Sequence, residues 1–347
     1  MGVIGDNVPN RVESGAVPGE AAVASYVRLY ESGELERRSR LLLQRLAACD
    51  LCPRTCGVDR LKDQLGFCSS PGRVLVASAC AHRGEEPPIS GYRGSGTIFF
   101  ANCNLRCVYC QNHQISQNEA AFRSEPGSAE MLADIMLSLQ EERHCHNINL
   151  VSPTHFVPQI IAALLLAVPR GLRLPLVYNT NAYDSVAVLQ LLDGVVDVYL
   201  PDMKYSSGQV AQRLSAAGDY VERSREAIAE MYRQVGAALV LGTDGVVQRG
   251  LIIRHLVLPG GLAGSEESLT WLAESLSNRI TLSLMAQYYP AHVAGTMPVL
   301  ARRISAQEYR GVVHTAQELG FEHVWSQETE SSAHYRPDFL RQGHPFE

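Results

Sequence analysis

The sequence predicts an α/β fold, a partial (β/α)6 TIM-type barrel preceded by an N-terminal cysteine-rich extension. From residue 97 onward, short apolar and β-branched runs alternate with longer helical patterns. Strands alternating with helices at this spacing build a parallel sheet of βα units. The 347 residues suit one large α/β domain with a preceding segment, or two domains. Residues 49–70 carry Cys, Gly and Pro with little periodicity, which marks them off as a segment of their own.

Residues 1–48 read as a leader plus a helix. Within "SYVRLYESGELERRSRLLLQRLAA" (25–48) apolar residues recur at helical spacing with charges between them. "RVLVASACA" (73–81) predicts a short strand, and "HRGEEPPISGYRGSG" (82–96) a loop by its Gly and Pro content. The strands of the sheet follow as "TIFFA" (97–101), "NINLV" (147–151), "LPLVYN" (174–179), "VVDVYL" (195–200), "LIIRHLVL" (251–258), "TLSLMA" (281–286) and "HVWSQ" (323–327). Helical stretches at 128–142, 156–168, 184–193, 219–236, 265–277 and 306–319 fit between them. Six such units plus a last strand make an open or partial barrel, whose chemistry belongs at the C-terminal ends of the strands. The expected organisation is a leader and helix (1–48), a cysteine-rich metal segment and loop (49–96), the partial barrel (97–330) and a C-terminal tail (331–347).

Hydrophobic residues make up 46% and charged residues 19%, ordinary for a globular chain. The net charge of −6 lacks the basic excess of a general nucleic-acid binder. Residues 1–22 have no apolar stretch of the secretory kind. Asp6 stands where a myristoylation signal wants Ser or Thr, and the longest apolar run, "IIAALLLAV" (160–168), is too short to span a bilayer. The expectation is a soluble, cytoplasmic protein with neither nucleic acid nor membrane as partner. There nine cysteines stay reduced, and clustered thiols point to metal binding or catalysis rather than disulfides. Of 30 basic residues only Lys62 and Lys204 are lysine. A compact ammonium does what a guanidinium does not, so both stand out.

"FFANCNLRCVYCQN" (99–112) places Cys103, Cys107 and Cys110 in the loop after the first barrel strand. Thiolates at C-x3-C-x2-C can fold around one face of an iron–sulfur cubane. Four irons and three cysteines leave one iron open. An open position marks a site that takes a substrate, by the logic that separates catalytic from structural zinc. A zinc knuckle or a chance cluster is the plainer reading, and the strand–loop–helix setting argues against it.

This spacing, with Tyr109 just before the third cysteine, resembles the radical S-adenosylmethionine (radical SAM) superfamily. "GSGTIFFANCNLRCVYCQNHQIS" (94–116) and its flanking motifs are similar to the branch of pyruvate formate-lyase activating enzyme homologues. The resemblance implies a [4Fe–4S] cluster on Cys103, Cys107 and Cys110 whose open iron takes the amino and carboxylate groups of SAM. It implies one-electron cleavage of the sulfonium to methionine and a 5′-deoxyadenosyl radical, which abstracts hydrogen from a substrate. An electron donor such as flavodoxin or ferredoxin comes with it.

Beside that branch, "SPTH" (152–155) stands where many members have Gly-Gly-Glu against the SAM amino group, so Ser152, Thr154 and His155 are candidate substitutes. Ser-Pro-Thr also reads as a helix cap. "NTNAY" (179–183) stands where the activating enzymes have Asp-Thr-Asn-Gly: Asn179 replaces the Asp, Ala182 the Gly, and Asn181 matches. A turn closing the strand is the other reading. Asp202 and Lys204 match Asp-x-Lys, and Lys204 suits the SAM carboxylate unless the two form a plain surface ion pair. Arg254 and His255 on the fifth strand, and Gln287 with Tyr288 and Tyr289 after the sixth, are expected at the same end of the barrel, as are Tyr109 and Asn112. For a lone His or Tyr a satisfied core residue is the alternative. "RHCHN" (143–147) precedes the second strand, at the far end; Cys145 reads as a small core residue and the histidines as surface.

"CDLCPRTCGVDRLKDQLGFC" supplies Cys49, Cys52, Cys56 and Cys68 at C-x2-C-x3-C-x11-C. Four thiols close a site completely, as a structural zinc or an auxiliary iron–sulfur cluster. Cys80 reads as a small buried residue or a ligand in a rearranged site. The expected activity is SAM cleavage and hydrogen abstraction from a small-molecule or peptide substrate. The alternatives are installing a glycyl radical on a partner enzyme, and a non-catalytic iron–sulfur or zinc binding protein. The extra cysteines and the departures at Ser152–His155 and Asn179 favour the first.

Overall fold

The computed structural model describes residues 2–3, 24–117, 126–327, 337–340 and 344–346. Parts of the expected leader (4–23), barrel (118–125, 328–330) and tail (331–336, 341–343) lie outside the described residues. After a short strand, β1 (Gly2–Val3), come α1 (Ser25–Glu31) and α2 (Glu34–Gln44). The single helix expected over 25–48 is thus two, because Gly33 takes a left-handed φ of 75° between them. α2 buries Leu35, Ser39 and Leu42, the inward stripe of an amphipathic helix. Residues 45–75 follow as loop, with one 3-10 turn at Arg60–Lys62.

The sheet begins at β2 (Val76–His82), and α3 (Pro87–Ser90) interrupts the loop expected at 82–96. The alternation then runs β3 (Ser95–Phe100), α4 (His113–Ser116), α5 (Ala129–Glu141), β4 (Ile148–Val151), α6 (Val157–Ala167) and β5 (Leu176–Thr180). It continues with α7 (Val186–Leu191), β6 (Val198–Pro201), α8 (Gly208–Ser215), α9 (Tyr220–Val235) and β7 (Val240–Leu241). The last elements are β8 (Val247–Leu256), α10 (Ser265–Ser275), β9 (Thr281–Met285), α11 (Ala306–Glu318) and β10 (Val324–Ser326).

The strand order is β1-β10-β9-β8-β6-β5-β4-β3-β2, with β7 pairing β8. Every pair from β3 to β10 along this path is parallel. The edges are antiparallel, β2 on β3 and β1 on β10. This is an α/β fold on a mostly parallel sheet, consistent with a partial TIM-like barrel. β3, β5 and β9 are buried at every residue, as strands covered on both faces must be. Parallel neighbours in close register, such as Thr97 beside Asn149 and Asn149 beside Val177, bring the C-terminal ends to one rim.

α6 (VPQIIAALLLA) is buried over most of its surface and belongs to the main core with Leu35, Leu42 and Leu46. The apolar run at 160–168 is therefore a core helix, and no helix among the described residues is long and apolar enough to cross a membrane. Cys145 joins the same core, but His146 does not lie at the surface as expected. Gly91 makes room for its ring: a Cβ there would stand 2.7 Å from His146. Arg93 N–H donates to His146 Nε2 at 3.1 Å. A smaller core, with Leu105, Tyr109, Tyr183, Tyr205 and Tyr220 around Cys107, sits at the rim.

Candidate active site

The C-terminal ends of the strands enclose a cavity of about 240 Å³. Cys103, Cys107 and Cys110 reach it from the loop after β3, with Tyr109 and Asn112. β4 contributes Ser152, β5 Asn179 and Asn181, β6 Asp202 and Lys204, β8 Arg254, and the end of β9 Gln287. The backbone is left-handed at three non-glycine residues along this rim, with φ 69° at Asn102, 56° at Ser152 and 62° at Ala182. Such conformations cost energy for side-chain-bearing residues and gather at functional sites.

Each of the three sulfurs has a polar neighbour. Leu105 N–H and Asn181 Nδ2 donate to Cys103 Sγ, each at 3.4 Å. Ser215 Oγ donates to Cys107 Sγ at 3.0 Å, and Ser116 Oγ lies 3.3 Å from Cys110 Sγ. Burial pushes the Cys103 and Cys107 thiols up to about 11, and raises Cys110 too. The positive Lys204 pulls all three the other way. The thiols are thus desolvated and ringed by donors, and as thiolates they would repel one another, so ionising them here calls for a positive partner such as a metal.

Lys204 Nζ donates to Asp202 Oδ2 at 2.7 Å. Burial works against its ammonium, but Asp202, with Cys107 and Tyr220, overrides that and holds its pKa above the ordinary lysine value. The pair is largely buried at the cavity wall rather than on the surface. The Tyr220 hydroxyl ties the ends of β5 and β6 together at Asn181 O (2.9 Å) and Asp202 O (2.8 Å).

Arg254 meets carboxylates of its own chain. Its Nε and Nη2 donate to Glu86 at 2.8 and 2.6 Å, and Nη2 also reaches Glu85. Although burial opposes charge on Glu86, Arg254 holds it below the ordinary carboxylate value. The sequence reading passed over Glu85 and Glu86, although an acidic pair directly after an edge strand was visible in "HRGEEPP". His82, Gln327 and Phe346 also line the cavity, and His82 stacks on Phe346 with centroids 4.2 Å apart.

Three expected residues face elsewhere. His255 follows Arg254 in the strand, so the pleat turns it to the opposite side. Its Nδ1 donates to Met203 O and its Nε2 accepts from Ser265 Oγ, each at 2.8 Å. Thr154 donates to Asp184 Oδ1 at 2.7 Å. His155 Nε2 donates to Ala101 O at 2.8 Å, and its ring borders the pocket of the other cysteine set. Asp184, which no sequence signal marked, also accepts from Tyr178 and Thr180 and so braces the loop that carries Asn179 and Asn181. Tyr288 packs on Tyr109 and donates to Leu300 O at 2.7 Å, a satisfied core residue. Cys80 lies on β2 beside the small Phe99 cluster.

Residues 97–246 match the model of the Radical SAM superfamily. "Uncharacterized protein MJ0674" of Methanocaldococcus jannaschii is 28% identical over 284 residues, 80% of this chain and 76% of that protein. The superfamily implies a [4Fe–4S] cluster and SAM, and the residues present fit both. Three thiols, Cys107 buried and Cys103 and Cys110 half-buried, converge with donors aimed at them, and a lysine stands at the wall of the same cavity. Residues 97–246 of this chain are thus similar to the radical SAM superfamily domain.

Proposed function

We propose that this protein cleaves SAM reductively and uses the resulting radical to abstract hydrogen from a small-molecule or peptide substrate. The observation that carries the reading is the meeting of Cys103, Cys107, Cys110 and Lys204 on one cavity at the strand ends. When bound, the cluster and SAM supply one-electron cleavage of a C–S bond and a hydrogen-abstracting radical. The protein's own residues bind, orient and exclude water. Cys103, Cys107 and Cys110 hold the cluster. Lys204, fixed by Asp202, presents a positive charge to the SAM carboxylate. Asn179, Asn181 and Ser152 offer polar groups around it. Glu85, Glu86 and Arg254, with Gln287 and Gln327, line the same cavity, and the substrate is assigned to them.

Pro337 and Phe346 add to the cavity wall. This enclosure favours a small or extended substrate over the activating-enzyme alternative, in which a folded partner must deliver a glycine loop. A flavodoxin- or ferredoxin-class protein supplies the electron, and a reducing cytoplasm suits an exposed-iron cluster. Anaerobic reconstitution with iron and sulfide, then SAM and dithionite, is the test. 5′-Deoxyadenosine is expected from the wild type and none from Cys107→Ala. Equal product from the variant overturns the assignment.

A further inference from the structure

Cys49, Cys52, Cys56 and Cys68 line one small pocket behind the first barrel loop. The backbone folds to bring them there. Cys49 N–H donates to Val58 O and Gly57 N–H to Cys49 O, closing a narrow loop that carries Cys52 and Cys56. Gly66 packs so tightly on this loop that a Cβ would stand 2.9 Å from the Cys56 sulfur. Phe67 N–H donates to that sulfur at 3.4 Å.

Arg60 supplies the second observation. Its side chain is fully buried. Its guanidinium donates to His155 O at 2.8 Å and to Pro71 O at 2.7 Å, and its Nη1 faces Cys49 Sγ at 3.9 Å. Among the described residues no carboxylate pairs with it. A buried cation needs an anion, and neutral thiols provide none. Thiolates held by a metal provide it.

The spacing selects the kind of metal centre. Among the described residues no group of three or more His, Cys, Asp or Glu side chains is placed to hold a metal ion. Zinc draws four thiolates to about 2.3 Å from one centre. A cluster, with each thiolate on a different iron and sulfide between the irons, spaces them wider.

We propose that Cys49, Cys52, Cys56 and Cys68 hold a second, fully ligated iron–sulfur cluster, one side chain away from the cluster on Cys103, Cys107 and Cys110. That side chain is Asn104, which is buried, lowers the Cys52 thiol pKa against the effect of burial, and holds its Oδ1 3.8 Å from Cys103 Sγ. Having no open iron, the second centre serves electrons rather than substrate. Only the adjacency rests on the reading of the first site.

The full chain is reconstituted anaerobically as wild type and as the Cys103→Ala/Cys107→Ala/Cys110→Ala variant. Iron, zinc and acid-labile sulfide are then counted, with circular dichroism to check folding. About eight irons are expected in the wild type, and about four with matching sulfide in the triple variant. Zinc without sulfide, or no metal, in a folded triple variant overturns the second cluster. Should the triple variant misfold, Cys56→Ser, which changes a half-buried ligand, is expected to lose iron and sulfide relative to wild type. An unchanged count there also overturns it. In reduced wild type the two centres are expected to show magnetic coupling by electron paramagnetic resonance, absent when only one is loaded; two uncoupled signals overturn the adjacency. Four irons that persist in the triple variant, with no SAM cleavage by wild type, support the second cluster and overturn the proposed function instead.

Discussion

Ser215, the last residue of α8, donates its hydroxyl hydrogen to the sulfur of Cys107 across 3.0 Å. One hydroxyl has one hydrogen, so Ser215 must accept from Tyr205 at 2.6 Å. Tyr205 in turn accepts from Tyr109 at 2.7 Å. A directed chain of three buried hydroxyls therefore ends on a candidate cluster ligand. Sequence reading passed over α8 altogether, although its cap Ser207 accepts from Val210 N–H in the ordinary way.

Ser215→Ala is expected to lower the midpoint potential of the reconstituted first cluster, since a hydrogen bond to sulfur favours the more negative, reduced state. It also leaves the Tyr205 hydroxyl without its acceptor, at a cost of about 1–3 kcal/mol. Redox titration and urea unfolding separate the two effects. A stability loss with no change in potential would reduce Ser215 to packing.

Lys204→Ala is expected to weaken SAM binding to the reconstituted protein at least about tenfold, the value of one charge-assisted contact of roughly 1.5 kcal/mol. Lys204→Arg should not restore it, because a planar fork does not fit where Asp202 holds a compact ammonium at 2.7 Å. Calorimetric titration measures both. An unchanged affinity with a lower melting temperature would make the pair purely structural.

Asp184→Ala removes the acceptor of Thr154 (2.7 Å), Tyr178 (2.9 Å) and Thr180 (2.6 Å) at once. Three buried donors left unsatisfied cost about 1–3 kcal/mol each, so a loss of at least about 3 kcal/mol is expected in urea unfolding. Asp184→Asn, which keeps one acceptor oxygen, should lose less. Equal losses would show that the carboxylate itself, not its geometry, is required.

Burial lowers the His255 pKa from 6.5 to about 4 in the folded protein. The folded state therefore stays neutral while the unfolded chain takes up a proton. Stability is present above the unfolded value and falls as pH drops from about 6.5 toward 4, by roughly 1.4 kcal/mol per pH unit from this group. Unfolding midpoints at pH 7 and pH 5 are expected to differ less in His255→Gln than in wild type. The same pH slope in both proteins would assign the loss to other groups.

Much of the scaffold is legible because its signals are local. The seven strand stretches from residue 97 onward each overlap an observed strand, β3 through β6 and β8 through β10. Hydrophobic period and Gly or Pro punctuation reveal such segments without knowing their neighbours. Short elements were less visible: α3, α4 and β7 span four, four and two residues, too few to display a period. Gly33 split a helix whose apolar pattern runs on regardless of one residue's φ.

The sequence by itself determined the alternation of strands and helices, the thiol spacing at Cys103, Cys107 and Cys110, and the second set at Cys49–Cys68. All of these are encoded within a few turns of chain. Tertiary structure alone decided which neighbours face the cavity. The pleat sends Arg254 inward and His255 outward although the two are adjacent. The partners of Arg254 are Glu85 and Glu86, 169 and 168 residues away, and Ser215 meets Cys107 across 108 residues. Hydrogen bonds and ion pairs act over a few ångströms of space. A one-dimensional pattern carries no record of which distant residues the closing sheet brings within that range.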